Sequence, residues 1–196
     1  LVVEYDGFNL QWVPNKFKTL KICLTAYKKR SLAFQWFPNK FKTKKICMLT
    51  IKNNDGFALR WVPEKFKTKE LCELAIKKTG DAIQFVPEKF KNYKLYLLVV
   101  KNHINVLDLI PEEFKTKELY LIAIRRNSEI LNLIPEEFKT KEFYLKAVIN
   151  NGHALEFVPE EFKTEKLCLK AYESNQSVVQ FIPDKFLKKL VNYNMN

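Results

Sequence analysis

The sequence predicts an all-α protein: an α-solenoid of about eight 24-residue helix-turn-helix repeats, wound as a right- or left-handed superhelix. Three observations carry that expectation. The eight prolines, Pro14, Pro38, Pro63, Pro87, Pro111, Pro135, Pro159 and Pro183, stand 24 residues apart, with one interval of 25 between Pro38 and Pro63. Each is followed three residues later by a phenylalanine (Phe17, Phe41, Phe66, Phe90, Phe114, Phe138, Phe162, Phe186). Between the prolines, apolar residues recur at helical spacing. Residues 1–196 are therefore expected to form a single α-helical repeat domain with units anchored at those prolines.

Each element follows from the letters of one repeat, counted from its proline as zero. Position +5 is Thr19, Thr43, Thr68, Asn92, Thr116, Thr140 or Thr164, side chains whose oxygen can accept an unpaired first-turn amide, so the first helix starts there. Its inner face uses +8, +9, +12 and +13, one side of a helix of period 3.6. The mostly alanine position +12 (Ala26, Ala75, Ala123, Ala147, Ala171) lets another helix approach closely. This helix ends near +16. The four glycines, Gly7, Gly56, Gly80 and Gly152, lie seven residues before the next proline, where a left-handed C-cap is expected. The extra residue of the longer interval falls in residues 53–56, in that turn.

A short second helix follows, as in Ala82-Ile83-Gln84-Phe85-Val86, with only its third letter regularly polar. It is read as mostly buried and ends before proline, which pushes its predecessor out of helical geometry. Proline at the first helical position then opens a separate turn, with Phe at +3 folding back into the core. The polar tail, residues 184–196, departs from the pattern and reads as a terminal cap. Residues 1–7 align with the last turn of a first helix, so the numbering is expected to start inside a longer chain.

Composition narrows the function. With 47% hydrophobic and 14% aromatic residues, a continuous core is available. No run approaches the ~18 apolar residues of a membrane span. The net charge of +12 is uneven: residues 1–98 hold 20 Lys/Arg against 8 Asp/Glu, and residues 99–196 hold 14 against 14. An excess confined to one half suggests an acidic partner there.

The residues from Gly80-Asp81-Ala82-Ile83-Gln84-Phe85 through Glu88-Lys89-Phe90-Lys91, with a first helix ending Ala-Ile-Lys-Lys, resemble the tandem helical repeat family called domain of unknown function 4116. The resemblance covers essentially the whole chain. Proline stands where that family often has Ser or Ala, Phe for Leu, and Thr-Lys for Asn-Asp. It implies a bacterial or other microbial repeat protein with no catalytic residues to carry over.

Candidate chemistry is sparse. Cys23, Cys47, Cys72 and Cys168 all occupy +9 on the inner face. Neighbouring repeats at a helix spacing of ~8–10 Å put them beyond the ~7 Å reach of a disulfide. They read as packing thiols in a reducing compartment, the cytoplasm, or a host cytosol for a secreted effector. His103 and His153 lie in turns with no nucleophile fixed beside them, and carboxylates repeated in every unit are structural, so no active site, cofactor or metal is expected. The lysines at +4 (Lys18, Lys42, Lys67, Lys91, Lys115, Lys139, Lys163) are expected to pair with the carboxylate at +1.

A second ladder is not required by the repeat: Lys28, Lys52, Lys77, Lys101 and Arg125 at +14, joined on the same helix face by Lys21, Lys45 and Lys94 at +7. It is the candidate binding surface. The expected function is a non-enzymatic protein-interaction scaffold whose basic amino-terminal half binds an acidic protein surface. The alternative is a nucleic-acid-binding array contacting phosphates through the ladder. Against nucleic acid, Trp12, Trp36 and Trp61 are read as core residues, leaving no exposed stacking ladder. Neither a membrane nor a small-molecule substrate is expected.

Overall fold

The computed structural model describes residues 2–53, 56–103 and 106–187. Among them the chain is all-α, with a helical unit repeating about every 24 residues. The α-helices are α1 (Val2–Tyr5), α2 (Leu20–Lys29), α3 (Lys44–Lys52), α4 (Lys69–Lys78), α5 (Tyr93–Asn102), α6 (Lys117–Ile124), α7 (Lys141–Asn150) and α8 (Glu165–Ser174). The chain divides into two compact lobes, Leu1–Ile110 and Pro111–Asn196.

The start of each α-helix is set by its cap. The Ile22 amide donates to Thr19 Oγ1 at 3.3 Å and the Leu95 amide to Asn92 Oδ1 at 3.0 Å, and the other five repeats do the same. The expected inner face is the core. Position +9 is buried in every repeat, +12 is fully enclosed, and +13 is buried except at Tyr172. Within the first lobe α3 packs on α4 and α4 on α5; within the second, α6 packs on α7 and α7 on α8.

The second helix of each repeat is not an α-helix but a 3-10 helix, for example Gly7–Trp12, Gly80–Phe85 and Gly152–Phe157. Six residues lie between an extended residue at one end and an extended pre-proline residue at the other, as at Thr79 (ψ 111) and Val86 (ψ 130). So short a run closes more bonds in the tighter i→i+3 pattern. Asp6, Asn127, Asn151 and Asn175 cap these helices, each side chain accepting the amide two residues on.

Proline does not occupy the first helical position. It sits one step outside, as the N-cap of a three-residue 3-10 turn, with φ −56 and ψ 138 at Pro87. The glycines do not adopt the left-handed conformation either. They open the 3-10 helices where the next α-helix presses closest: a Cβ on Gly7 would lie 2.2 Å from the Ala26 carbonyl oxygen. At Gly7, Gly56 and Gly152 the atom in the way is the carbonyl oxygen of the alanine at +12 (Ala26, Ala75, Ala171), whereas Gly80 faces His103 and Val106.

Phe at +3 is half-buried rather than a core residue, and Phe17 is 56% exposed. In the second lobe these rings close over the tyrosines at +9, Tyr120 on Phe138 and Tyr144 on Phe162. Position −2 is also a surface position: Trp12 is 76% exposed, and Trp36, Trp61 and Phe85 are partly exposed. A 3-10 helix turns the residue just before proline inward instead, as with Phe37, Val62 and Val86. Of the inserted turn, Asn54 and Asp55 lie outside the described residues, as do residues 188–196 of the expected terminal cap.

Candidate binding surface

The ladder lysines project from helices whose opposite faces are fixed in the core. Lys21 and Lys28 on α2, Lys45 and Lys52 on α3, Lys77 on α4, and Lys94 and Lys101 on α5 are all exposed in the first lobe. Arg125 is exposed at the end of α6, in the second lobe. Among the described residues, Lys21, Lys28, Lys45 and Lys52 form no ion pair. The first lobe carries 21 Lys/Arg against 9 Asp/Glu, so the whole excess of +12 lies within it.

The structure brings part of this ladder to an apolar groove. Leu24, Tyr27, Lys28 and Ser31 from one side and Leu49 and Asn53 from the other line a space of about 430 Å³ between α2 and α3. Leu24 stands three residues from Lys21 and four from Lys28; Leu49 stands four from Lys45 and three from Lys52. Helical spacing therefore sets each leucine between two lysines on one face. Leu49 is 45% exposed, and the Asn53 amide donates to the Tyr27 hydroxyl at 3.3 Å across the groove. Lys94 instead lines a smaller hollow of about 110 Å³ with Lys69, Glu73 and Phe90. Sequence reasoning missed the groove; its signal was an apolar residue at +10 or +11 flanked by the two ladder lysines.

The other candidates settle into structural roles. All four cysteines are buried and free, and burial pushes the thiols of Cys47, Cys72 and Cys168 up from 9.0 to about 11. Such thiols stay protonated and unreactive at neutral pH. No group of three or more His, Cys, Asp or Glu among the described residues could hold a metal ion. His103 Nε2 lies 2.7 Å from the Ile76 carbonyl and His153 Nε2 2.9 Å from Asn175 Nδ2, each joining successive repeats.

The +4 lysines pair as expected wherever +1 is a glutamate. Lys67, Lys91, Lys115, Lys139 and Lys163 each meet the carboxylate three residues back at 2.6 Å. One of them also ties its repeat to the next: Lys163 Nζ donates to the Phe181 carbonyl at 3.2 Å. The partly exposed aromatics Trp36 and Phe85 at position −2 form edge-to-face pairs with an aromatic at −6 of the preceding repeat, Trp36 with Phe8 at 5.4 Å and Phe85 with Phe57 at 5.0 Å, and Arg30 stacks on Phe8. No described helix is long and apolar enough to cross a membrane.

Four segments, residues 43–91, 68–115, 92–139 and 140–188, match the family described as Domain of unknown function (DUF4116). All four open on a helix-capping residue, Thr43, Thr68, Asn92 or Thr140, and each spans two successive repeats. No curated protein and no solved structure matches the chain.

Proposed function

The chain belongs to the DUF4116 family of tandem helical repeats, and we propose that it is a non-catalytic scaffold whose basic first lobe captures an acidic segment of a partner protein. The observation that carries this reading is the α2–α3 groove: an apolar floor of Leu24, Tyr27 and Leu49 beside four exposed lysines. A bare phosphate backbone has no use for such a floor. An acidic polypeptide with a bulky apolar side chain uses both features, the lysines steering its approach and the groove burying its anchor. Buried, protonated thiols are in keeping with a reducing compartment, and we place the protein in a cytoplasm.

A second reading is nucleic-acid binding. It is favoured by the partly exposed Trp36, Trp61 and Phe85 with Arg30 and Arg60 nearby, the residue types that stack on bases. Fluorescence anisotropy separates the two. A labelled peptide of glutamates interrupted by leucine is expected to bind, and K21E/K28E/K45E/K52E to lose it. If single-stranded and duplex oligonucleotides bind with steep salt dependence while the peptide does not, the second reading replaces the first.

A further inference from the structure

The four residues from +1 to +4 after each of the first seven prolines change stepwise along the chain: Asn-Lys-Phe-Lys at residues 15–18 and 39–42, Glu-Lys-Phe-Lys at 64–67 and 88–91, then Glu-Glu-Phe-Lys at 112–115, 136–139 and 160–163. The backbone does not change with them. Every one of these segments is the same 3-10 turn, entered from an extended proline. The last lysine runs under the turn, and Lys18 and Lys42 are only 7% and 6% exposed.

In five repeats the ammonium there, on a lysine that is buried (Lys67, Lys163) or partly buried (Lys91, Lys115, Lys139), is neutralised by the glutamate at +1, 2.6 Å away. In the Pro14 and Pro38 repeats the residue there is Asn15 or Asn39. Among the described residues, Lys18 Nζ then has only the Trp36 carbonyl, at 3.2 Å. Lys42 Nζ has the carbonyls of Trp61 and Gln35, at 3.1 and 3.5 Å, and the Phe34 ring at 5.1 Å. Carbonyl dipoles solvate an ammonium without cancelling its charge, and a buried charge lacking its counter-ion is costly. Burial pulls Lys42 below its ordinary 10.5. In the other repeats, the glutamate that reaches Nζ is itself 71–87% exposed, so a carboxylate reaches this ammonium from the solvent side. Beside each site an exposed lysine, Lys16 or Lys40, is held over the ring of Phe17 or Phe41 at 5.0 Å, adding a second positive charge.

We propose that the Asn15–Lys18 and Asn39–Lys42 turns are receptors for carboxylate side chains of the acidic partner, which supplies in trans the counter-ion that Glu64 and its equivalents supply in cis. The proposal rests on the scaffold reading and names the chemistry the partner must present: carboxylates that reach two successive repeats. The sites are a charge-assisted, geometrically defined complement to the exposed ladder.

The test uses the full chain and a fluorescein-labelled peptide of glutamates interrupted by leucine. N15E/N39E installs the missing carboxylates and is expected to weaken binding about tenfold, as losing two charge-assisted contacts should. The neutral, length-matched N15Q/N39Q and the single charge control Gln84→Glu are expected to bind like wild type. Conversely, E64Q frees a third ammonium and is expected to strengthen binding. Circular dichroism checks each fold, and N15E/N39E is expected to melt at a higher temperature than wild type. Wild-type affinity in N15E/N39E, with binding still lost in K21E/K28E/K45E/K52E, overturns this proposal and leaves the scaffold reading standing. A peptide that fails to bind wild type overturns both. An oligonucleotide that responds to N15E/N39E while the peptide does not overturns the assignment to carboxylates.

Discussion

A methyl group placed on Gly56 would lie 2.2 Å from the carbonyl oxygen of Ala75, well inside van der Waals contact. Gly56 opens a 3-10 helix and Ala75 sits at the enclosed +12 position of α4, so the pair sets how closely one repeat approaches the next. The obstructing atom is backbone and cannot swing aside. Gly56→Ala is therefore expected to destabilise the protein by about 1–3 kcal/mol, the usual cost of overpacking, measured by urea unfolding. An unchanged midpoint would show that the repeats tolerate a wider spacing.

Capping is expected to matter equally in both lobes. Thr68→Ala and Thr164→Ala each remove the acceptor of one first-turn amide, the Leu71 amide and the Leu167 amide, at 3.3 Å. Each is expected to cost about 1 kcal/mol, and Ser at either site to restore most of it. Chemical denaturation of the four variants checks the pairing of loss and rescue.

These caps were legible in the sequence because a Thr or Asn at a fixed offset has one obvious local use. The inner face was legible for the same reason: +9, +12 and +13 recur as enclosed residues, and a helix of period 3.6 has only one way to bury them. What the letters hid was handed over to neighbours. Gly7 and Gly56 look like turn glycines, yet their reason is a carbonyl 19 residues further along the chain. Trp36 looks like core because tryptophan is apolar, but a 3-10 helix rotates the residue at −2 outward. The α2–α3 groove needs Leu24 and Leu49 from two different repeats, and no single repeat shows it.

Asn151 does two jobs in the second lobe. Its Oδ1 accepts the His153 amide at 3.1 Å and its Nδ2 donates to the Ile124 carbonyl at 3.0 Å in the preceding repeat. Asn151→Ala is expected to cost about 1–3 kcal/mol, since it strands a carbonyl and an amide together. Asn151→Asp should keep the accepted bond but lose the donated one, and land between Ala and wild type in thermal melts.

Alkaline stability is expected to be set by the thiols. Cys47, Cys72 and Cys168 are held at about 11 by burial, against an ordinary 9.0. Their folded pKa values are raised, so the unfolded chain releases protons that the folded chain keeps. Stability is fully present below pH 9 and is lost as pH rises from 9 towards 11. Denaturation midpoints of Cys72→Ala and wild type across that range check this: the variant should lose stability less steeply, and parallel curves would place the proton release elsewhere.

The first lobe is where an acidic polypeptide is expected to dock. Zero-length carbodiimide coupling of the glutamate–leucine peptide to the full chain, followed by mass spectrometry, tests it most directly, because an amide bond forms only where a carboxylate rests on a lysine. Adducts are expected to concentrate at Lys21, Lys28, Lys45 and Lys52, and at Lys16 and Lys40 beside the Asn-headed turns. Adducts spread evenly over the exposed lysines, or gathered at Lys141, Lys146 and Lys166 of the second lobe, would contradict it.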